Sequence, residues 1–170
     1  MNSLEISQII LIAALGISVV TDVRSGKIRN WLTFPAIILG PIVHLLEGGW
    51  KSALSSLEGA GLMILVSIVL VAIGIFGGGD IKLLVAVGSL GGLELVGNSL
   101  LYSAVAGGVL AIIMLVLRRK TAAVTKQLAL SAWLKFAHKV SFKDGSSTGI
   151  KMPYSIAIAA GTVAAMFLPL

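Results

Sequence analysis

Two aspartates, Asp22 and Asp80, have the side chains and the settings in this sequence that best suit chemistry. Asp80 stands between two apolar runs, residues 62–76 and 81–95, and follows three consecutive glycines. A carboxylate inside or at the edge of a bilayer is costly, so its default interpretation is functional. The glycines predict a close approach of another backbone and unusual backbone angles beside the carboxylate.

Carboxylates that lie close together can act as one catalytic unit. They do not readily ionise at the same time, so a pair holds one proton between its members and titrates as a unit. One member is then a base that activates water, and the other is an acid that protonates the carbonyl oxygen or the leaving amine. Asp22 and Asp80 are 58 residues apart in sequence (80 − 22), so the fold decides whether they meet.

The composition places the chain in a membrane. Of its 170 residues, 57% are hydrophobic and only 12% are charged, and the mean hydropathy is +1.04. Soluble domains carry about 25% charged residues, so we expect one integral-membrane domain over residues 1–170. The absence of cysteine and the presence of only two, well-separated histidines predict no metal site and no cofactor. We attribute the net charge of +6 to basic loops rather than to nucleic-acid binding.

The apolar runs predict an all-α, polytopic membrane helix bundle with about six transmembrane helices. The expected spans are residues 6–20, 31–46, 57–76, 81–96, 99–117 and 152–168. A loop at residues 47–56 separates the second span from the third, and Gly97-Asn98 is a turn signal between the fourth and the fifth. The first span is expected to be retained, because it lacks a basic n-region and a cleavage site.

The polar segment of residues 118–151, between the fifth and sixth spans, has helical periodicity. Gln127, Ser131, Lys135 and Lys139 recur every four residues, and apolar side chains cover the other side. This pattern is typical of a basic amphipathic helix on the cytoplasmic membrane surface. A loop helix packed against the bundle fits the same pattern, and the sequence leaves both open.

The distribution of charge orients the six spans. Twelve of the thirteen lysines and arginines fall in residues 21–30, 77–82 and 118–151, on one side of the membrane, and only Lys51 falls on the other. The positive-inside rule puts the first side in the cytoplasm. The two aspartates then lie at the cytoplasmic ends of the first and third spans, at a similar depth.

Each aspartate also has a structural interpretation. Asp22 could pair with Arg24 or cap the second helix, and Asp80 could be the partner of Lys82 or part of an ion pathway. The residues by themselves therefore predict a membrane protein with a functional carboxylate and a partner for it.

Three segments of the chain resemble the type IV prepilin peptidases, a family of membrane aspartyl proteases. Residues 77–83, Gly-Gly-Gly-Asp-Ile-Lys-Leu, match the Gly-x-Gly-Asp-x-Lys-Leu signature of that family. Residues 22–33 are similar to its first aspartate segment, and residues 152–157 are similar to its final Pro-Tyr helix start. Arg29 stands where the family commonly has proline.

The resemblance implies a multi-pass aspartic endopeptidase of the plasma membrane that cleaves the leaders of prepilin-like precursors at the cytoplasmic face. It implies two catalytic residues, Asp22 and Asp80. It also implies a set of residues that shape the loop or contact the substrate: Gly77, Gly79, Lys82 and Asn30. The paired cysteines of the family's methyltransferase region are absent, so no N-methylation is expected. The chain is similar to the short members that serve tight-adherence (Flp) pili or archaeal preflagellins, and self-association is left open.

Other classes of protein are compatible with the same two aspartates. A presenilin-type intramembrane aspartyl protease shares the Gly-x-Gly-Asp sequence, but its first aspartate lies in a Tyr-Asp segment that this chain lacks. A small transporter could use Asp22 and Asp80 as a proton or cation relay. A non-catalytic assembly subunit of a secretion machine is a further alternative.

Overall fold

The computed structural model describes residues 5–26, 28–72, 77–117 and 154–168. In these residues the chain forms four helices: α1 (Ile6–Ser25), α2 (Asn30–Ala72), α3 (Gly78–Leu117) and α4 (Tyr154–Phe167). The described residues contain no strand, which confirms the all-α class. α1, α2 and the part of α3 up to Ile113 are long and apolar enough to cross a membrane, and α4 is a shorter apolar helix.

The chain folds into two compact units. One comprises Met1–Gly107 together with Pro153–Leu170, and the other comprises Gly108–Met152. The first unit holds every residue of the predicted site. In the second unit the structure describes only the end of α3, so the helix predicted within residues 118–151 lies outside the described residues. That helix and the single-domain organisation stay predictions.

The count of six spans also stays a prediction, because the structure has four helices in the residues it describes. α2 has 43 residues. At about 1.5 Å per residue a straight helix of that length would measure about 65 Å, twice the roughly 30 Å of bilayer hydrocarbon. α2 and α3 each contain one residue with non-helical backbone angles, Gly49 and Gly92. Each long helix is therefore divided into two segments.

The break at Gly49 turns α2 back on itself. Gly49 has φ 70° and ψ −160°, a conformation that glycine adopts without a steric penalty. His44 and Ser52, on either side of it, are joined by a hydrogen bond of 2.8 Å between Nδ1 and Oγ. In a straight helix, residues eight apart are separated by about 12 Å along the axis, so the two segments must converge here. The loop predicted at residues 47–56 is wrong in extent, because the residues on both sides of Gly49 are helical.

The break in α3 falls at Gly92, and the turn predicted at Gly97-Asn98 is wrong. Both residues of that pair are helical, whereas Gly92 has φ 67° and ψ 178°. A glycine-asparagine pair is only a local turn signal. The position of the break is decided by which backbone groups find partners on α2.

Two side chains of α2 satisfy the backbone at this break. The His44 Nε2–H group donates to the Leu90 carbonyl at 3.0 Å, and the Leu93 amide donates to Ser55 Oγ at 3.1 Å. Since a carbonyl only accepts, the proton of the histidine ring lies on Nε2. In an apolar environment an unsatisfied backbone group costs several kcal/mol, so these bonds stabilise the chain where helical bonding stops.

The first half of α3 is the centre of the packed unit. All eight residues from 83 to 90 are buried, and a helix that is apolar and buried on every side is surrounded by other elements. α1 and α2 instead expose large apolar side chains, such as Leu46 (80% exposed) and Leu65 (64% exposed). Such outward apolar surface fits contact with lipid.

Glycines let α2 and α3 approach each other closely. A Cβ atom at Gly59 would overlap the backbone of Gly88, and one at Gly88 would overlap the backbone of Gly59. Gly40 stands against the backbone of Ser89 in the same way. Small residues at helix contacts are the usual means of tight packing in membranes, where lipid removes the hydrophobic drive for association.

We expect Gly59→Ala to destabilise the protein, because the added methyl group has no room against the α3 backbone. The cost should be about 1–3 kcal/mol, as for other overpacked sites. Gly61→Ala is the matched control, since a Cβ there meets no atom within 4 Å and alanine favours a helix over glycine by about 1 kcal/mol. Thermal unfolding in detergent measures both. A Gly59→Ala protein as stable as Gly61→Ala would contradict the close approach.

Candidate active site

Asp22 lies in the last turn of α1, just before the helix ends. Gly26 follows α1 with φ 61°, and its N–H donates to the Asp22 carbonyl at 2.7 Å. A glycine in the left-handed conformation is a common helix C-cap, because it satisfies a final carbonyl without a steric penalty. This cap fixes where α1 stops and therefore where the Asp22 side chain is presented.

Asp80 lies in the first turn of α3 and is held by the residue that caps that helix. Its Oδ2 accepts from the Gly77 N–H at 3.0 Å, and its own N–H donates to the Gly77 carbonyl at 3.1 Å. This reciprocal pair is one half of a capping box, with an acidic residue at the third helical position. The helix dipole also favours a carboxylate at this end. Asp80 is thus oriented by the local structure of its own helix.

The fold brings the two aspartates close enough for a charge on one to act on the other. A charge on Asp80 also acts on the Tyr154 phenol. Ile28, in the connection between α1 and α2, packs on Gly79 at the start of α3. A Cβ atom added at Gly79 would lie 3.4 Å from the Ile28 Cβ. Asp22 accepts a hydrogen bond of 2.6 Å from Ser155 Oγ, at the start of α4.

Lys82 and Asn30 join the beginnings of α3 and α2. The Lys82 ammonium donates to Asn30 Oδ1 at 2.7 Å and lies 5.6 Å from the centre of the Phe34 ring. A cation within about 6 Å of an aromatic ring is attracted to its face. In the described residues Lys82 therefore bonds to Asn30, and it is not the structural partner of Asp80.

In the parts of the chain that the structure describes, no three histidine, aspartate or glutamate side chains come together as a metal-binding group. The arrangement is a pair of carboxylates at the adjoining ends of two helices. Such a pair can share a proton and perform acid–base chemistry on water.

Comparison with known proteins identifies the family. The family model described as the type IV leader peptidase family matches residues 9–112. The chain belongs to the type IV leader peptidase family. The match covers both aspartates and confirms the resemblance seen in the sequence, so the protein is a peptidase of the aspartic type. No curated protein and no solved structure gives a significant match.

The glycines of this leader peptidase are not strained, which corrects one expectation. The positive φ angles among the described glycines are at Gly26, Gly49 and Gly92, so Gly77–Gly79 have ordinary backbone angles. A Cβ at Gly78 would meet nothing within 4 Å, and one at Gly77 would lie 3.5 Å from Asp80 Oδ2, an ordinary contact. The fold itself therefore tolerates a side chain at these positions.

Sequence reasoning gave no role to Ser155 or Tyr154. In the sequence, the Pro-Tyr-Ser start of the last apolar run indicates only a resemblance to the family. Ser155 is a polar residue in the first turn of an apolar helix, at the end of the bundle where the charge count had placed both aspartates. That position was the signal in the sequence that Ser155 could lie near the aspartates.

We expect Asp80→Asn to unfold at about the wild-type temperature, because the amide oxygen still accepts a hydrogen bond from the Gly77 N–H. Asp80→Ala removes the cap and should cost about 1 kcal/mol. Thermal unfolding in detergent at neutral pH compares the two. Equal destabilisation by both substitutions would mean that the Asp80 charge itself stabilises the fold.

Proposed function

We propose that this leader peptidase is a membrane-embedded aspartic endopeptidase that removes the leader peptide of prepilin-like precursors. The observation that carries the proposal is the placement of Asp22 at the end of α1 and of Asp80 at the start of α3, near enough for a charge on one to act on the other. Membership of the type IV leader peptidase family supports a leader sequence as the substrate. Substrate contact at the membrane fits the apolar helices that surround the site.

We further propose that α2 and α3 each cross the membrane twice, so that six segments span it and the site faces the cytoplasm. The described residues at the site end include three basic side chains, Arg24, Arg29 and Lys82. At the opposite end of α1, Glu47 accepts hydrogen bonds from the backbone N–H groups of Ile6 and Ser7. This separation of charge supports a cytoplasmic site by the positive-inside rule.

The proposed reaction is direct attack by water, with no acyl-enzyme. The ionised carboxyl takes a proton from water, whose oxygen bonds to the carbonyl carbon, while the protonated carboxyl gives its proton to the carbonyl oxygen. The tetrahedral diol then collapses. The C–N bond breaks as the amine takes the proton from the first carboxyl, and a diol hydroxyl returns a proton to the second. Both carboxyls regain their starting states.

The residues beside the aspartates would position the substrate. A Cβ atom at Gly77 would make only an ordinary contact in the fold, so the small size of Gly77 would serve the approach of the substrate strand, whereas Gly79 also accommodates Ile28. Lys82 and Asn30, joined by their hydrogen bond, would hold the starts of α3 and α2 in register around that strand.

Cleavage of a prepilin tests the function. We expect the detergent-solubilised wild-type protein to shorten the precursor by its leader, and we expect both Asp22→Asn and Asp80→Asn to produce no cleavage, since neither can exchange a proton through the pair. Asp144→Asn is the matched control, because it removes the third and last aspartate of the chain. The readout is the mobility and mass of the product.

Cleavage that survives in both aspartate variants would exclude the two-carboxylate mechanism. Wild-type protein that cleaves no prepilin, but moves protons or cations across proteoliposomes, would favour a transporter. Cuts within the transmembrane helix of the substrate, rather than after its leader, would favour a presenilin-type activity.

A further inference from the structure

α4 contributes a side chain to the site, although it lies outside the region matched by the family model. Ser155 is fully buried, and its hydroxyl donates to Asp22 Oδ2 at 2.6 Å. The two residues are 133 positions apart in sequence. A buried hydroxyl that reaches across the bundle to a half-buried carboxylate is a specific contact rather than incidental solvation.

The two aspartates differ in the donors that they accept from. The 2.6 Å bond to Asp22 is at the short end of the O–H···O range and is compatible with an ionised acceptor, for which about 2.5–2.7 Å is usual. The 3.0 Å bond from Gly77 to Asp80 has the length of an ordinary N–H···O bond, for which the mode is about 2.9–3.0 Å. Ionised carboxylates only accept, and a hydroxyl donor therefore favours the ionised form of its partner.

We propose that Ser155 is a positioning residue that holds Asp22 in the ionised form as the general base and so leaves the shared proton on Asp80. This inference rests on the proposed function. It assigns the roles of general base and general acid, which the family comparison does not distinguish. The Ser155 bond occupies Oδ2 of Asp22. Because a carboxylate has about four acceptor sites, the remaining capacity is enough to bind and deprotonate a water.

The residue that precedes Ser155 also lies near the pair of carboxyls. Tyr154 precedes Ser155 in the first turn of α4, and its phenol lies within range of a charge on Asp80. Two consecutive residues of α4 therefore lie near the two carboxyls. The hydrogen bond from Ser103 Oγ to the Ile158 carbonyl (3.4 Å) and the lack of space at Gly161 against Ser103 fix α4 against α3.

The first experiment measures kcat and KM for prepilin cleavage by full-length Ser155→Ala and Ser155→Thr. Loss of a hydrogen bond to a charged group predicts a decrease in kcat of about 10- to 100-fold for Ser155→Ala, with KM unchanged. Ser155→Thr retains a hydroxyl and should recover most of the rate. Ser99→Ala is the control, because it removes another buried serine hydroxyl, one that donates to the Val96 carbonyl. Its kcat should equal that of the wild type.

The second experiment needs no substrate, so it separates this inference from the proposed function. Ser155→Ala is combined with Asp22→Asn, and the midpoint of thermal unfolding is measured for the four proteins of the cycle. Because a bond to an ionised group is stronger than one to an amide, Ser155→Ala should lower the midpoint more in the wild type than in the Asp22→Asn background.

The outcomes are distinct. Wild-type kcat in Ser155→Ala, or an equal loss of midpoint in both backgrounds, would overturn the positioning role. A decrease in kcat that Ser99→Ala reproduces would likewise overturn it, as a general effect of lost packing. Wild-type protein without peptidase activity would defeat the proposed function, and the unfolding cycle would then decide alone whether Ser155 holds an ionised Asp22.

Discussion

The close approach between the first half of α3 and the two segments of α2 is the constraint on which the rest of the structure depends. A central helix must be apolar on every side, yet its neighbours must come near enough to bond to its backbone. Gly59 and Gly88 allow that approach because neither carries a Cβ. At this distance Ser56 Oγ donates to the Ser89 carbonyl at 2.6 Å, and Ser89 Oγ donates to the Ile37 carbonyl at 2.8 Å. Packing and hydrogen bonding between α2 and α3 therefore both depend on the absence of a Cβ at Gly59 and Gly88.

The same approach allows α3 to change direction. A helix that stops inside an apolar environment leaves backbone groups without partners, and the cost is large unless nearby side chains replace them. His44 and Ser55 do so at Gly92 because α2 has already turned at Gly49 and presents both of its segments to α3. The break in α3 therefore depends on the break in α2, which supplies its polar partners.

At the other end of α3, the two carboxyls of the site are held in two different ways. There, Asp80 caps its own helix through Gly77, and Asp22 is held from a distant element through Ser155. One carboxyl is thus oriented locally and the other by tertiary contact. This difference gives two identical side chains distinct surroundings, which an acid–base pair needs if its members are to take different roles.

Much of the site was predictable because its signals are local. The Gly-Gly-Gly-Asp segment and the polar segment after the first apolar run mark both carboxylates, and the segregation of positive charge places them at one end of the spans. The position of Ser155, at the same end of the bundle as both aspartates, was a signal in the sequence, but it did not specify which residue the serine would contact. The turn at Gly92 was missed for a similar reason: Gly97-Asn98 has the stronger local signal, whereas the partners of the true break lie on another helix.

The sequence alone determined that this is an all-helical protein with helices apolar enough to cross a membrane, because composition, apolar length and charge distribution do not depend on the fold. It also determined the family, through residues that lie close together along the chain. Only the tertiary structure decided where α2 and α3 break, that Lys82 bonds to Asn30 rather than to Asp80, and that Ser155 holds Asp22. These features are bonds between helices, and the energy of such a bond depends on the position of its partner, which no local pattern in the sequence specifies.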